Sequence, residues 1–97
     1  MQTYVILRRS AWATAQDLAE TAARSTAEGD QMPDDIRWIR SYVLDETDGA
    51  VGTVCIYQAS SPEAIREHAR RADMPADEII ALADTVVMRP DPESVTT

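Results

Sequence analysis

One cysteine, Cys55, and one histidine, His68, are all that 97 residues contain of the two softer metal-binding side chains. A lone cysteine rules out an internal disulfide, a paired zinc motif and a CxxC redox pair, and it fits a reducing cytoplasm. Basic residues are also scarce. Nine arginines and lysines face seventeen acids, for a formal charge of −8, which argues against nonspecific binding to nucleic acid or to an anionic membrane surface. The same acidity suits a soluble protein and leaves a metal cation electrostatically acceptable. No apolar run approaches the roughly 18 residues of a membrane span. In MQTYVILRR the arginines follow a short apolar run, without the apolar core of about 7–15 residues that a signal peptide needs, so an intracellular, cytoplasmic protein is expected. P-loop, GxGxxG, HExxH and GxSxG patterns are all absent.

What is present is enough for one domain, expected over residues 1–90, with a mobile tail at 91–97. A chain of this size buries only about two-thirds of its unfolded surface, so association of subunits would help it. The stretch SSPEAIREHARRADMPAD, residues 60–77, carries the clearest element. Ser61 suits an N-cap and Pro62 the first helical position, where a missing N–H is harmless. Glu63 lies at the positive end of the dipole, and Arg70 and Arg71 near the negative end. Pro75 disfavours helix at Met74, which sets the end at Ala72 or Asp73. Ile65, His68, Ala69 and Ala72 share one face, so His68 points inward.

Before it, TYVILRR (residues 3–9) reads as a buried strand, apolar on both alternating sets. Thr14 and Asp17 form a capping signature for a first helix that presents Ala15, Leu18, Ala19, Ala22, Ala23 and Thr26 inward and ends near Gly29. IRWIRSYVL (36–44) is a second strand, with Trp38 and Tyr42 on one side and Ile39 and Val43 on the other. Asp48-Gly49 turns the chain into VGTVCIYQA (51–59), an antiparallel partner in which Gly52 marks a bulge or close contact. IIALADTVVMR (79–89) is a last strand, stopped by Pro90 and Pro92.

The order is β-α-β-β-α-β, an α+β ferredoxin-like plan with two helices on one face of a four-stranded antiparallel sheet. The strands are apolar on both sides, so the second face needs a cover. A second copy of the sheet in a two-fold homodimer, of the dimeric α/β-barrel type, is the simplest one.

EAIREHARRADMPAD, IRWIRSYV and the closing ADTVV together resemble the small bacterial ferredoxin-like family typified by an actinobacterial nickel-binding protein, much of it uncharacterised. The resemblance covers residues 3–90. Its most specific part is Glu67-His68-Ala69-Arg70 followed by Pro75-Ala76. Between them this chain has Ala72-Asp73-Met74, where relatives carry a glycine- or aspartate-containing turn. The resemblance implies a dimeric sandwich or barrel and nickel as cofactor, with only His68 in the shared motif.

Nickel takes imidazole, carboxylate and water, so a lone histidine needs oxygen donors or a second subunit. Glu67 lies on the other side of the helix from His68. Asp73 is near in sequence, and Asp84 is a candidate on the last strand, so His68 and Asp84 form the expected metal pair. Two readings of His68 stand side by side: a core imidazole holding one hydrogen bond, or a ligand or acid/base group beside a hollow left by Ala69 and Ala72. Tyr42 and Tyr57 are the candidate pocket residues. With His68 they support an alternative, a cofactor-independent oxygenase or isomerase acting on a small organic molecule between sheet and helices. Cys55 reads as a small core residue, and Asp45, Glu46 and Asp48 as solvated turn residues without calcium-loop spacing.

Overall fold

The structure, a computed structural model, describes residues 1–92. Its elements are strand β1 (Gln2–Trp12), helix α1 (Ala15–Asp30), strands β2 (Ile36–Asp45) and β3 (Val51–Ala59), helix α2 (Pro62–Ala72) and strand β4 (Glu78–Ala81). They form one four-stranded antiparallel sheet in the order β2-β3-β1-β4, the ferredoxin-like arrangement. No helix of the described residues is long and apolar enough to cross a membrane.

Local chemistry starts both helices. The Thr14 hydroxyl accepts the Asp17 N–H at 3.1 Å, and the Ser61 hydroxyl accepts the Ala64 N–H at 3.1 Å, each relieving a donor that the first helical turn leaves unpaired. Asp73 closes α2 in the left-handed region (φ 54°). Of α2, Ile65, His68, Ala69 and Ala72 are buried; Ile65 joins a core cluster with Tyr4, Ile6, Cys55, Tyr57 and Ala59 of the sheet, and the His68 ring lies against Tyr57. At the β2–β3 turn Asp48 and Gly49 both take positive φ. Gly52 is forced by a close approach: a Cβ there would lie 2.4 Å from the Arg8 carbonyl oxygen and 3.0 Å from the Ser10 nitrogen. It faces the irregularity between Arg8 and Trp12 of β1, where Ser10 has φ 48° and Glu46 accepts from Ser10 and Arg9.

Three features depart from the sequence reading. First, α1 is rotated. Its buried residues are Thr21 and Ser25, with Ala15, Ala19, Ala23 and Thr26 exposed. Polar partners on other elements set this rotation: the Thr21 hydroxyl accepts from Trp12 Nε1 at 2.9 Å and the Ser25 carbonyl oxygen lies 2.8 Å from His68 Nε2, while alanine methyls offer little area to oppose it.

Second, β2 bulges between Trp38 and Arg40, which reverses the alternation. Trp38 pairs with Tyr57 and Ser41 with Cys55 on the helix side, so Tyr42, opposite Val54, lands on the other face. Third, the last strand stops at Ala81 instead of Arg89. Tyr4 pairs with Ala81 and the Leu82 N–H still reaches Thr3, so an antiparallel β4 would run past the start of β1 within two more residues. The chain from 82 to 92 crosses the open face instead, where Asp91 accepts from Tyr42 Oη at 2.9 Å and contacts Arg40. Most of the expected tail, residues 93–97, lies outside the described residues.

Candidate functional site

The polar interior lies between the sheet and the helices. It is built by Arg8 of β1, Cys55 and Tyr57 of β3, Ser41 of β2, Ser25 of α1 and His68 of α2. Arg8 belongs here by parity, since it shares the inward set of β1 with Tyr4 and Ile6. It is 1% exposed, the largest side chain withdrawn so completely. Its Nε donates to the Pro75 carbonyl at 2.5 Å and its Nη1 to Cys55 Sγ at 3.2 Å, and the guanidinium lies 5.9 Å from the centre of the Tyr57 ring. Cys55 also accepts from the Ser41 hydroxyl at 3.0 Å and donates to Thr53 Oγ1 at 3.3 Å, so it is buried as expected but in polar company.

His68 is fully buried, with Nε2 2.8 Å from the Ser25 carbonyl oxygen. A carbonyl only accepts, so the proton is on Nε2, and Nδ1 keeps a bare lone pair. Nδ1 has no hydrogen-bond partner, and neither do Tyr57 Oη, Ser25 Oγ or Arg8 Nη2. Burial pushes the imidazole below its ordinary value, and the Arg8 charge adds to this, against the pull of the Ser25 carbonyl. The neutral ring is therefore the resident form. Burial likewise pushes the Tyr57 phenol up to about 12, so it stays a neutral hydroxyl. Tyr57 stacks on Trp38 with centroids 5.4 Å apart and tilts against His68 at 5.7 Å.

Two hollows reach this interior. A groove of about 700 Å³ between α1 and β2 is lined by residues that include Gly29, Ile36 and His68. A smaller cavity of about 130 Å³ lies deeper, against Arg8, Trp12, Thr53, Cys55 and Tyr57. Ser25, Trp38 and Ser41 line both.

Residues 4–82 match the family model described as "Nickel responsive protein SCO4226-like". The chain belongs to this family. The crystal structure of SCO4226 from Streptomyces coelicolor A3(2) superposes with a TM-score of 0.68 at 16% identity, covering 87% of this chain and 99% of that one, which establishes the shared fold. No curated protein matches the chain.

Within this member of the family, two of the four expected site residues come together. His68 and Tyr57 are neighbours. Tyr42 is not with them: the β2 bulge puts it on the open face, 45% exposed and bonded to Asp91. Asp84 is not with them either, because the chain has left the sheet by then, and its exposed carboxylate accepts the Thr85 N–H at 2.7 Å. The oxygenase or isomerase alternative therefore keeps Tyr57 and His68 without Tyr42. Arg8, Ser25 and Ser41 were missed. For Arg8 the signal was its even spacing from Tyr4 and Ile6; for Ser25 and Ser41 the helix rotation and the bulge hid it.

The family's nickel finds a partial fit. His68 has the arrangement of a metal-ligating imidazole, one nitrogen donating to a backbone carbonyl and the other bare. However, no group of three His, Cys, Asp or Glu side chains comes together among the described residues, and the Arg8 cation lies in the same interior. The described residues of one chain bring no complete set of protein ligands together around His68.

Proposed function

We propose that the protein acts in a nickel response as a small binding protein, with His68 Nδ1 as the atom that contacts the metal. The supporting observation is the fixed tautomer, which leaves a bare lone pair inside a chain of the nickel responsive family. One imidazole fills one coordination position, and nickel accepts water and oxygen donors in the rest. An ion held so lightly exchanges readily, which suits a responsive site better than a store. The single buried cysteine fits work in a reducing cytoplasm.

The working form in this proposal is a homodimer through the open sheet face. Ile39, Tyr42 and Ile80 are 41–45% exposed there, and Val86, Val87 and Met88 of the crossing segment are 72–81% exposed, an apolar set that a second copy would cover. Light scattering at micromolar concentration is expected to give twice the chain mass, and a 10.7 kDa particle would reject the dimer.

Calorimetry with Ni²⁺, Zn²⁺ and Co²⁺ on tag-free protein tests the metal reading, since a His tag would imitate it. Nickel binding is expected in the wild type and its loss in a folded His68→Gln variant, because the amide is a much poorer donor to nickel. Unchanged affinity in that variant sinks the proposal.

A further inference from the structure

The open face of the sheet holds a hollow of about 660 Å³ between its strands and the segment 82–92 that crosses them. It shares no residue with the interior around His68, and its size falls within the range of about 300–1,000 Å³ typical of small-molecule sites. Seventeen acids outnumber nine bases in the chain, yet the charged residues lining this hollow are Arg37, Arg40, Arg89 and a single acid, Asp91. Asp91 is already taken up by Arg40 and Tyr42. Arg37 reaches only the neutral Gln58 Oε1, at 3.5 Å, and neither Arg37 nor Arg89 has a carboxylate partner among the described residues. An acidic protein thus gathers two guanidiniums without counter-ions around one hollow, where a ligand's negative charge is favoured.

The remainder of the lining is mostly aliphatic. Ile39 and Ile56 come from the strands, and Val86, Val87 and Met88 from the crossing segment, which spans the face while leaving these three side chains 72–81% exposed. Arginines beside such a surface match a molecule with one anionic head and a flexible apolar tail. A small inorganic anion would leave the aliphatic wall unused, and a neutral hydrocarbon would leave the arginines unpaired. Branched side chains and the adaptable thioether of Met88 suit an alkyl tail, and the only ring in the lining is that of Tyr42.

We propose that this hollow binds a medium-chain alkyl carboxylate, its head held by Arg37 and Arg89 and its tail laid between the sheet and the crossing segment. Arginine suits the head because its planar fork donates two parallel hydrogen bonds to a carboxylate. The tail covers apolar surface that the crossing segment leaves open. One chain builds the whole hollow, so the proposal stands independently of both the nickel and the dimer readings.

Octanoate, its uncharged analogue octanamide and the tail-less acetate are the probes, titrated by calorimetry into tag-free protein with chelator present. Octanoate is expected to bind saturably, at least about fivefold more tightly than octanamide, with acetate not binding at millimolar concentration. That preference is expected to shrink as salt is raised, since both arginines are exposed and screened. Arg37→Gln and Arg89→Gln are each expected to weaken octanoate by about threefold or more, while Arg66→Gln, which removes the same charge from the outside of α2, leaves it unchanged. Arg37 also lines the groove on the other side of β2, so Arg89 and Met88, which line only this hollow, locate the ligand. In a methyl NMR spectrum the Met88 signal is expected to move with octanoate and that of the buried Met32 to stay. The proposal is overturned by absence of saturable octanoate binding at millimolar concentration, by equal affinity for octanoate and octanamide, by an Arg66→Gln effect as large as that of Arg89→Gln, or by a Met88 signal that does not respond.

Discussion

The helix side of the sheet withdraws Ile6, Tyr57 and Ile65 completely from solvent, whereas on the open side Val5, Leu7, Val54 and Ile56 are only half-buried and the segment crossing them leaves Val86, Val87 and Met88 largely exposed. Both faces carry strand residues of similar hydrophobicity. The difference lies in what covers them. A helix satisfies its own backbone and presses a continuous stripe of side chains onto the sheet, while the segment after Ala81 has no regular backbone pairing and is held at Asp91 by Tyr42 and Arg40. Apolar residues on a strand thus establish that a face wants covering, not how tightly it is covered.

The contrast is broken most directly by equal truncations on the two sides. Ile65→Ala, on the closed side, is expected to cost roughly 2–5 kcal/mol, and Ile80→Ala, at the half-open edge, about 0.5 kcal/mol or less, measured by denaturant unfolding. Comparable losses would mean that the open face is packed as tightly as the other, as in a dimer that unfolds with its interface.

Gly52→Ala sharpens the picture at the sheet itself. The added methyl meets the Arg8 carbonyl and the Ser10 nitrogen, backbone atoms that cannot swing aside, so a loss of about 1–3 kcal/mol is expected in the same unfolding measurement. A neutral result would show that the β1 irregularity relaxes freely.

A smaller effect follows from the buried imidazole. His68 has a depressed proton affinity when folded, because burial disfavours its charged form. Above its ordinary value of about 6.5 both folded and unfolded chains hold it neutral and its contribution is complete; as pH falls below that value the unfolded chain takes up the proton first, and stability declines toward the lower folded value. From about pH 7 to about pH 5 the wild-type melting temperature is therefore expected to fall more steeply than that of His68→Gln. Parallel slopes would show that the imidazole titrates as if in water. Glu46 and Glu67, held at about 2 by Arg9 and by Arg70 with Arg71, change the picture only below their ordinary value of 4.5, where both variants follow alike.

Least affected is the open side. Asp91→Ala removes the acceptor shared by Tyr42 and Arg40, both exposed, and the monomer's melting temperature is expected to stay unchanged, since exposed ion pairs contribute little. A clear drop would make the crossing segment an integral cover.

Much of the fold was legible in the chain. The caps at Thr14 and Ser61, the Asp48-Gly49 turn, the close approach at Gly52 and the buried face of α2 all follow from short-range rules that act within a few residues. The inward placement of His68 and Tyr57 was legible because helical and strand periods assign each to an inner face. The expected placement of Tyr42 beside Trp38 was not met, because nothing in IRWIRSYV, which lacks glycine and proline, announces a bulge. The expected position of Asp84 on the last strand was not met, because TVVM has strand composition while strand length depends on whether a partner strand is still alongside.

The sequence by itself determined the number and order of the elements, their caps, the acidic surface and the single inward histidine, since these depend on side-chain chemistry read a few positions at a time. Tertiary structure alone decided the rotation of α1 about Thr21 and Ser25, the reversal of β2 at Ile39, the end of β4 and the meeting of Arg8 with Cys55, Tyr57, Ser25 and His68. Most of these depend on partners tens of residues apart. The choice among them is made by which buried polar atoms find a mate, and no local pattern encodes that.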